Sequence, residues 1–284
     1  MRVFGLLLLC FSFTLTASTT FTTQIHDIDY GVAGDETLVF LASGHVAKLS
    51  LNKTNVLSKI QEAKSFNTFN AWYDVTLDAD RNIVAIKDAA EVLPQVEEND
   101  VPNGEGKFVY IPTTVADMKT AQKYHNSGRH SPTDSQCFNR AQVWSYEWWR
   151  NNSVRSQKIL IFFTRTYIRR YDFEWWFHIA PYLHVMDNNQ VVERVMDVKY
   201  TSRPISFRKW TDIFMKNDAP CPVITRYSEY ADHPYTGECY IIRTNMFTYQ
   251  PADLQMNEAW GYTKSTFNMD EVRAAYKEAF QIDI

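Results

Sequence analysis

Residues 187–190, Asp-Asn-Asn-Gln, separate two apolar runs, F-E-W-W-F-H-I-A-P-Y-L-H-V-M and V-V-E-R-V-M-D-V-K-Y. No other stretch constrains the fold as much. Paired asparagines tolerate the positive φ values of a two-residue hairpin turn, and the flanking runs read as antiparallel strands. Pairing Asp187 with Gln190 sets the register, which carries His178 opposite Lys199. Side chains two apart share a face, so His178 and Asp197 become diagonal neighbours, about 7–8 Å apart at the backbone. A slip of one residue would send them to opposite faces. His184 shares the face by parity but lies nearer the turn, where a structural or merely polar role is expected.

A carboxylate beside an imidazole fixes the tautomer and stabilises the imidazolium that forms when the free nitrogen takes a proton. A nucleophile to complete this pair stands at Cys137. The polar stretch before it, H-N-S-G-R-H-S-P-T-D-S, is too rich in Ser, Gly, Pro and Asp for a strand or helix. After Cys137, the residues Phe138, Ala141, Val143, Trp144 and Trp148 recur mostly at helical spacings. A thiol at a helix start faces unpaired N–H groups and the positive end of the macrodipole, which favours the thiolate. The alternative is a buried, inert cysteine. His125 and His130, in the preceding loop, are minor candidates for the base.

Cysteine parity bears on this choice. The opening M-R-V-F-G-L-L-L-L-C-F-S-F-T-L-T-A-S has a basic residue and a short apolar run, as in a secretory signal cleaved near Ser18. A secreted or periplasmic location is expected, with no mature membrane span, because no later apolar run approaches the required length. Loss of Cys10 with the signal leaves three cysteines. Cys221 and Cys239 are close in sequence across a Pro- and Gly-containing loop and are expected to pair, contributing about 3 kcal/mol. Cys137 is then the thiol left over.

With 284 residues, the chain holds one large domain or two small ones. The net charge of −4 and the lack of a basic stripe argue against a nucleic-acid partner. No CxxC, HExxH or carboxylate cluster suggests a metal, and no glycine loop suggests a phosphate, so no cofactor is expected. Residues 19–34 read as extended. A strand pair turning at Ser43-Gly44 follows, then a helix with Val56, Ile60 and Ala63 on one face, then alternation with a turn at residues 80–82. This is a small α+β unit. An acidic, Pro- and Gly-punctuated linker, residues 91–106, separates it from the rest. Before Ser127 the chain carries 10 Lys/Arg and 15 Asp/Glu, a net −5; the remainder carries 19 and 18, a net +1. The acidic unit is organised either as a removable pro-segment or as a permanent accessory domain.

The second unit, residues 107–284, is expected to open with a helix over residues 112–125. A strand at 157–165, the hairpin, a helix capped by Ser206 and a final helix follow, the last with Asn268 as N-cap and Glu271 as its N3 partner.

The segments S-Q-C-F-N-R-A, E-W-W-F-H-I-A-P-Y-L-H-V and E-R-V-M-D-V-K-Y-T-S-R-P-I-S-F-R-K-W resemble the bacterial protein-glutaminase (protein-glutamine deamidase) family. Cys137, Arg140, Ala141, His178, Ala180, Asp197, Pro204 and Trp210 fit its pattern. The Asp-Pro pair of that pattern is replaced here by Asp197-Val198. The resemblance implies an α+β fold: a small N-terminal pro-domain (residues 19–106), then a transglutaminase-like or papain-like core with the nucleophile helix packed on an antiparallel sheet. It implies a Cys137–His178–Asp197 triad that hydrolyses protein-bound glutamine side chains to glutamate and ammonia through a thioester. The backbone N–H of Cys137 would serve the oxyanion hole, and the pro-segment would act as an intramolecular inhibitor. Trp144, Trp148, Trp175 and Trp176 serve as core packing or as a wall of the peptide groove, with Trp144, Trp175 and Trp176 the substrate-binding candidates. The same triad also suits transamidation or peptide cleavage, and a non-catalytic binding module with an inert thiol is the remaining alternative.

Overall fold

The computed structural model describes residues 18–31, 36–49, 56, 58–60, 71–89, 110–131 and 135–284. The expected signal segment (apart from Ser18), the linker at 91–106 and Ala63 lie outside the described residues. Two compact units divide the chain, one drawn from Met1–Leu41 and Ala47–Ala90, the other from Ala42–Val46 and Glu91–Ile284. Among the described residues, no helix is long and apolar enough to cross a membrane.

Among its described residues, the first unit carries six short strands. β1 (Thr19–Thr23), β5 (Tyr73–Leu77) and β6 (Ile83–Asp88) form one antiparallel sheet in the order β1-β5-β6. β2 (Ile25–Asp29), β3 (Thr37–Leu41) and β4 (Val46–Leu49) form another. Ile28, Val39, Leu49, Val75, Leu77 and Ile83 build its core, with Ile60 from a short helical stretch fully buried among them.

The second unit is built on a sheet ordered β10-β9-β8-β11, its strands being β8 (Gln157–Phe163), β9 (Phe177–Asp187), β10 (Gln190–Val195) and β11 (Cys239–Asn245). β8 and β9 are buried almost throughout, and accordingly read as continuous apolar runs. Edge strand β10 is mostly half-buried, with Gln190 and Val191 exposed. β8 pairs with β9 over Phe177–Tyr182, and β7 (Thr114–Val115) runs parallel to it at His184 and Val185. The turn residues Asn188 and Asn189 adopt φ of 50° and 60°, as their sequence requires.

The helices are α1 (Met118–Ser127), α2 (Cys137–Asn152), α3 (Arg165–Tyr171), α4 (Phe207–Phe214), α5 (Tyr227–Ala231), α6 (Pro251–Trp260) and α7 (Met269–Phe280). α1 starts later than expected. Residues 112–115 are extended, and Asp117 caps the helix by accepting from Thr120 N–H at 2.7 Å. α3 was not anticipated; Thr164 ends β8 and caps this helix at Tyr167 N–H. Ser206 caps α4 as expected. Asn268 caps α7, but the Glu271 carboxylate turns to Lys264 instead of returning to the N-cap. Cys221 and Cys239 are disulfide-bonded, with Cα atoms 4.9 Å apart.

α2 lies against β9 on one side and α7 on another. Its apolar residues Val143, Trp144 and Trp148 enter the main core with Leu183, Met196, Val272 and Phe280. Yet Asn139, Arg140, Gln142 and Ser145 on this helix are buried too. Buried polar groups require partners, and each of these finds one on another segment. Ser156 Oγ donates to Ser145 Oγ, and Lys158 Nζ donates to Gln142 Oε1 and to the Thr248 carbonyl.

Lys158 is fully buried, and desolvation lowers its pKa to about 7. Between about pH 7 and the ordinary lysine value, the unfolded chain holds a proton here that the folded chain does not, so this group makes stability rise with pH. Replacing it by an uncharged side chain removes that slope. The stability of Lys158→Met relative to wild type should therefore grow as pH falls from 9.5 to 7. Urea unfolding at the two pH values measures this; a pH-independent difference would contradict it.

Candidate active site

Cys137 is the first residue of α2. The backbone of Gln136, extended at φ −65° and ψ 139°, leads into the helix, and its side chain makes no capping bond. The first intrahelical bond, at 3.3 Å, runs from Arg140 N–H to Gln136 O. The N–H groups of Cys137, Phe138 and Asn139 therefore have no acceptor inside the helix. Cys137 is buried but not sealed, with 9% of its surface exposed, and is the free cysteine among the described residues.

β9 brings His178 to this helix start. Its Nε2 lies 2.7 Å from Asp197 Oδ2, and the Cys137 side chain lies near enough to act on the imidazole's basicity. With Nε2 committed to the carboxylate, Nδ1 is the nitrogen free for the thiol. Asp197 Oδ2 also accepts from Trp210 Nε1 at 2.9 Å. His178 and Asp197 are almost wholly buried. Trp175 stacks on the imidazole at 5.7 Å, Tyr200 meets it edge-on at 5.2 Å, and Trp210 and Phe214 close the remaining sides. A dry aromatic box of this kind strengthens the polar contacts inside it.

The pairing of His178 with Asp197 arises differently from the register argument. The ladder holds as expected from Gln190↔Asp187 to Val195↔Tyr182, and Met196 N–H still donates to the Pro181 carbonyl at 2.9 Å. Pro181 has no N–H to return the bond. Val195 instead bonds Ile205 in both directions, at 2.7 and 3.2 Å, and Asp197 leaves the strand. Its carbonyl accepts from the N–H groups of Tyr200 and Thr201, at 3.1 and 2.9 Å, and from Thr201 Oγ1. The carboxylate reaches His178 from a turn, not from a facing strand position.

Other residues fall elsewhere. His125 belongs to α1, not to a loop, and braces the Asp197 turn through Thr201 Oγ1 at 3.0 Å. His130 is exposed. His184 is six positions along β9 from His178, opposite Glu193, about 20 Å away at strand rise. Trp144 and Trp176 do not form a groove wall: both are 1% exposed. Trp144 Nε1 donates to the Arg129 carbonyl, and Trp176 packs on Phe162 and Phe177. Trp148 is likewise core. Trp175 alone of the four touches the imidazole and keeps partial exposure. The second unit also includes Ala42–Val46, where Gly44 O accepts from Trp176 N–H at 3.0 Å and Val46 N–H donates to Glu174 O at 2.7 Å. The bracing by Trp210 has a sequence signal, since Trp210 and Phe214 are one helical turn apart just beyond the aspartate. The bracing by Thr201 has none. Among the described residues, no grouping of His, Cys, Asp and Glu could hold a metal.

Arg140 is buried as well, its Nη1 donating to Ser135 O and Oγ. Burial would raise Asp197, but the His178 charge and hydrogen bond, then Trp210 and Arg140, hold its carboxyl below the usual range. Burial would lower His178, but Asp197 and then Cys137 outweigh it and raise the imidazole to about 9. An imidazole raised in the folded state contributes stability that is complete below the unfolded value and lost as pH rises through about 9. Wild type should therefore lose stability relative to Asp197→Asn between pH 6.5 and 9.5. Parallel urea unfolding of both proteins tests this; equal pH slopes would contradict the assignment.

Residues 113–214, which span the thiol, the imidazole and the carboxylate, match the family model described as Glutaminase. No curated protein sequence matches the chain. The chain is similar to a crystal structure of pro-protein-glutaminase at 13% identity, with a TM-score of 0.51 and 92% of each chain covered. A mutant of pro-protein-glutaminase is similar at 13% identity and a TM-score of 0.49, covering 81% of this chain and 84% of that one. A crystal structure of protein-glutaminase is similar at 13% identity and a TM-score of 0.38, covering 61% and 92%. The first of these shows a shared mixed α+β fold across both units. The match to the glutaminase family model thus covers the stretch that carries the thiol, the imidazole and the carboxylate.

Proposed function

We propose that the chain deamidates protein-bound glutamine, releasing ammonia and leaving glutamate, with Cys137, His178 and Asp197 as its triad. The observation that carries this reading is the coincidence of the glutaminase match with the Cys137–His178–Asp197 cluster. Cys137 gives its proton to His178 and attacks the carboxamide carbon. The oxyanion so formed is held by the Cys137 N–H at the helix start, a donor of a kind whose loss costs about 2.7–4 kcal/mol in the transition state. His178 then protonates the departing ammonia, leaving a thioester. Water that loses a proton to His178 hydrolyses the thioester, and the proton returns to the sulfur. Asp197 orients the ring and stabilises its cationic form throughout. The nucleophile helix packed on an antiparallel sheet is the arrangement of a transglutaminase-like or papain-like core. Trp175, half-buried over the imidazole, is a wall for the glutamine side chain.

Cys137→Ala should abolish ammonia release from a glutamine-containing protein while leaving circular dichroism unchanged. Undiminished release from the folded variant would rule out this nucleophile. Substrate crosslinking or chain cleavage in place of ammonia release would assign the triad to transamidation or proteolysis.

We further propose that residues 1–18 direct export and that 19–106 are a pro-segment restraining the second domain until removed. Three features support the pro-segment: similarity over nearly the whole chain to a pro-protein-glutaminase, the acidic balance before Ser127, and the Pro- and Gly-rich composition of 91–106. A tethered segment occupies a site at high effective concentration even when its affinity is weak. Limited proteolysis should cut first within 91–106, and ammonia release should rise as the cut accumulates. Equal rates from the intact chain and the separated C-terminal fragment would make the N-terminal unit an accessory domain.

A further inference from the structure

The nucleophile helix begins without a cap of its own, because the Gln136 side chain makes no bond to the first turn. An uncapped helix start leaves its first-turn N–H groups without an internal acceptor and its first residue, here Cys137, without a local tether. A carboxylate from another helix braces this first turn. Glu278 lies on α7, which packs along α2, well outside the matched residues 113–214. The residue is exposed along its stem, but its carboxylate turns inward against α2. Oε2 accepts from the buried Asn139 amide at 2.5 Å. Tyr249 completes the chain by donating its hydroxyl to Asn139 Oδ1.

We propose that Glu278 is a positioning residue for Cys137, bracing the first turn of the nucleophile helix through Asn139. The inference rests on the proposed role of Cys137 as nucleophile. Its carboxylate holds the side chain two residues after the thiol, in the same helical turn, and so restrains that turn. Because it takes a side-chain donor, it leaves the Cys137 N–H to a developing oxyanion. Arg140, buried in the same turn, is the charged group nearest in sequence, and its interaction reaches both Glu278 and Asp197. Tyr249 is the other titratable group facing this contact.

The test is Glu278→Gln, which keeps the shape but loses the charge and one acceptor. A small misplacement of reacting groups costs on the order of 10²-fold. We expect kcat for ammonia release to fall about ten- to a hundred-fold with KM within about two-fold. A second readout is the pH dependence of Cys137 alkylation by iodoacetamide. Removing a nearby negative charge favours the thiolate, so the midpoint should move to lower pH even as turnover falls. Merely loosened packing would not move the two in those directions. Wild-type kcat, or an unshifted alkylation midpoint, would overturn the proposal. Alkylation needs no glutaminase turnover, so a shifted midpoint in a protein releasing no ammonia would sustain Glu278 while removing the proposed function. If Glu278→Gln does not fold, Tyr249→Phe decides. It removes the hydroxyl on Asn139 but keeps the ring that packs edge-on against Phe138 at 5.0 Å. A several-fold loss in kcat with unchanged KM supports the proposal, and wild-type kcat overturns it.

Discussion

The contact between His178 and Asp197 organises the second unit because both partners are taken out of water. A buried carboxylate is costly unless it is paired and hydrogen-bonded, and Asp197 meets that condition only where three elements converge. β9 supplies the imidazole, α4 supplies the Trp210 indole, and the turn after β10 presents the carboxylate. Displacing any of them would leave a charge unsatisfied in an aromatic box. The same enclosure gives the imidazole its basicity: without Asp197, burial would favour the neutral ring, and with it the protonated form prevails well above neutral pH.

The nucleophile helix obeys a related constraint. Its inner face is unusually polar for a buried helix, and each polar residue is matched by a different part of the chain. Asn139 meets Glu278 and Tyr249, Arg140 meets Ser135, Gln142 meets Lys158, and Ser145 meets Ser156. Apolar packing alone tolerates small rotations and slides of a helix. Directional bonds to α7, β8 and the preceding loop do not, because a shifted helix would strand several buried groups at once. This specificity bears most on Cys137, whose thiol and N–H both lie in the first turn.

Several features of this arrangement were legible in the chain because local chemistry decides them. Asn188 and Asn189 determine the hairpin turn through their tolerance of positive φ, and the register along β9 and β10 follows. Ser206 and Asn268 mark helix starts because their side chains satisfy first-turn N–H groups. Cys137 at a helix start and the bond between Cys221 and Cys239 are legible for comparable reasons, one from the change in periodicity and the other from parity and spacing.

Other features belong to the tertiary structure. Thr114 and Val115 join β9, although their neighbourhood suggests helix, because pairing along an open stretch of a central strand outweighs a weak local preference. Trp144 and Trp176 are core residues and Trp175 meets the imidazole, a division that periodicity cannot make, since apolar spacing does not tell a core face from a groove wall. Asp197 finds His178 from a turn because Pro181 cannot return a ladder bond, and the carboxylate then depends on partners that come from β9 and α4. The chain by itself determined which candidate residues lie along it and in what order. Only the fold decided how they meet, because burial, second hydrogen-bond partners and helix contacts arise between segments distant in sequence, where local propensity has no influence.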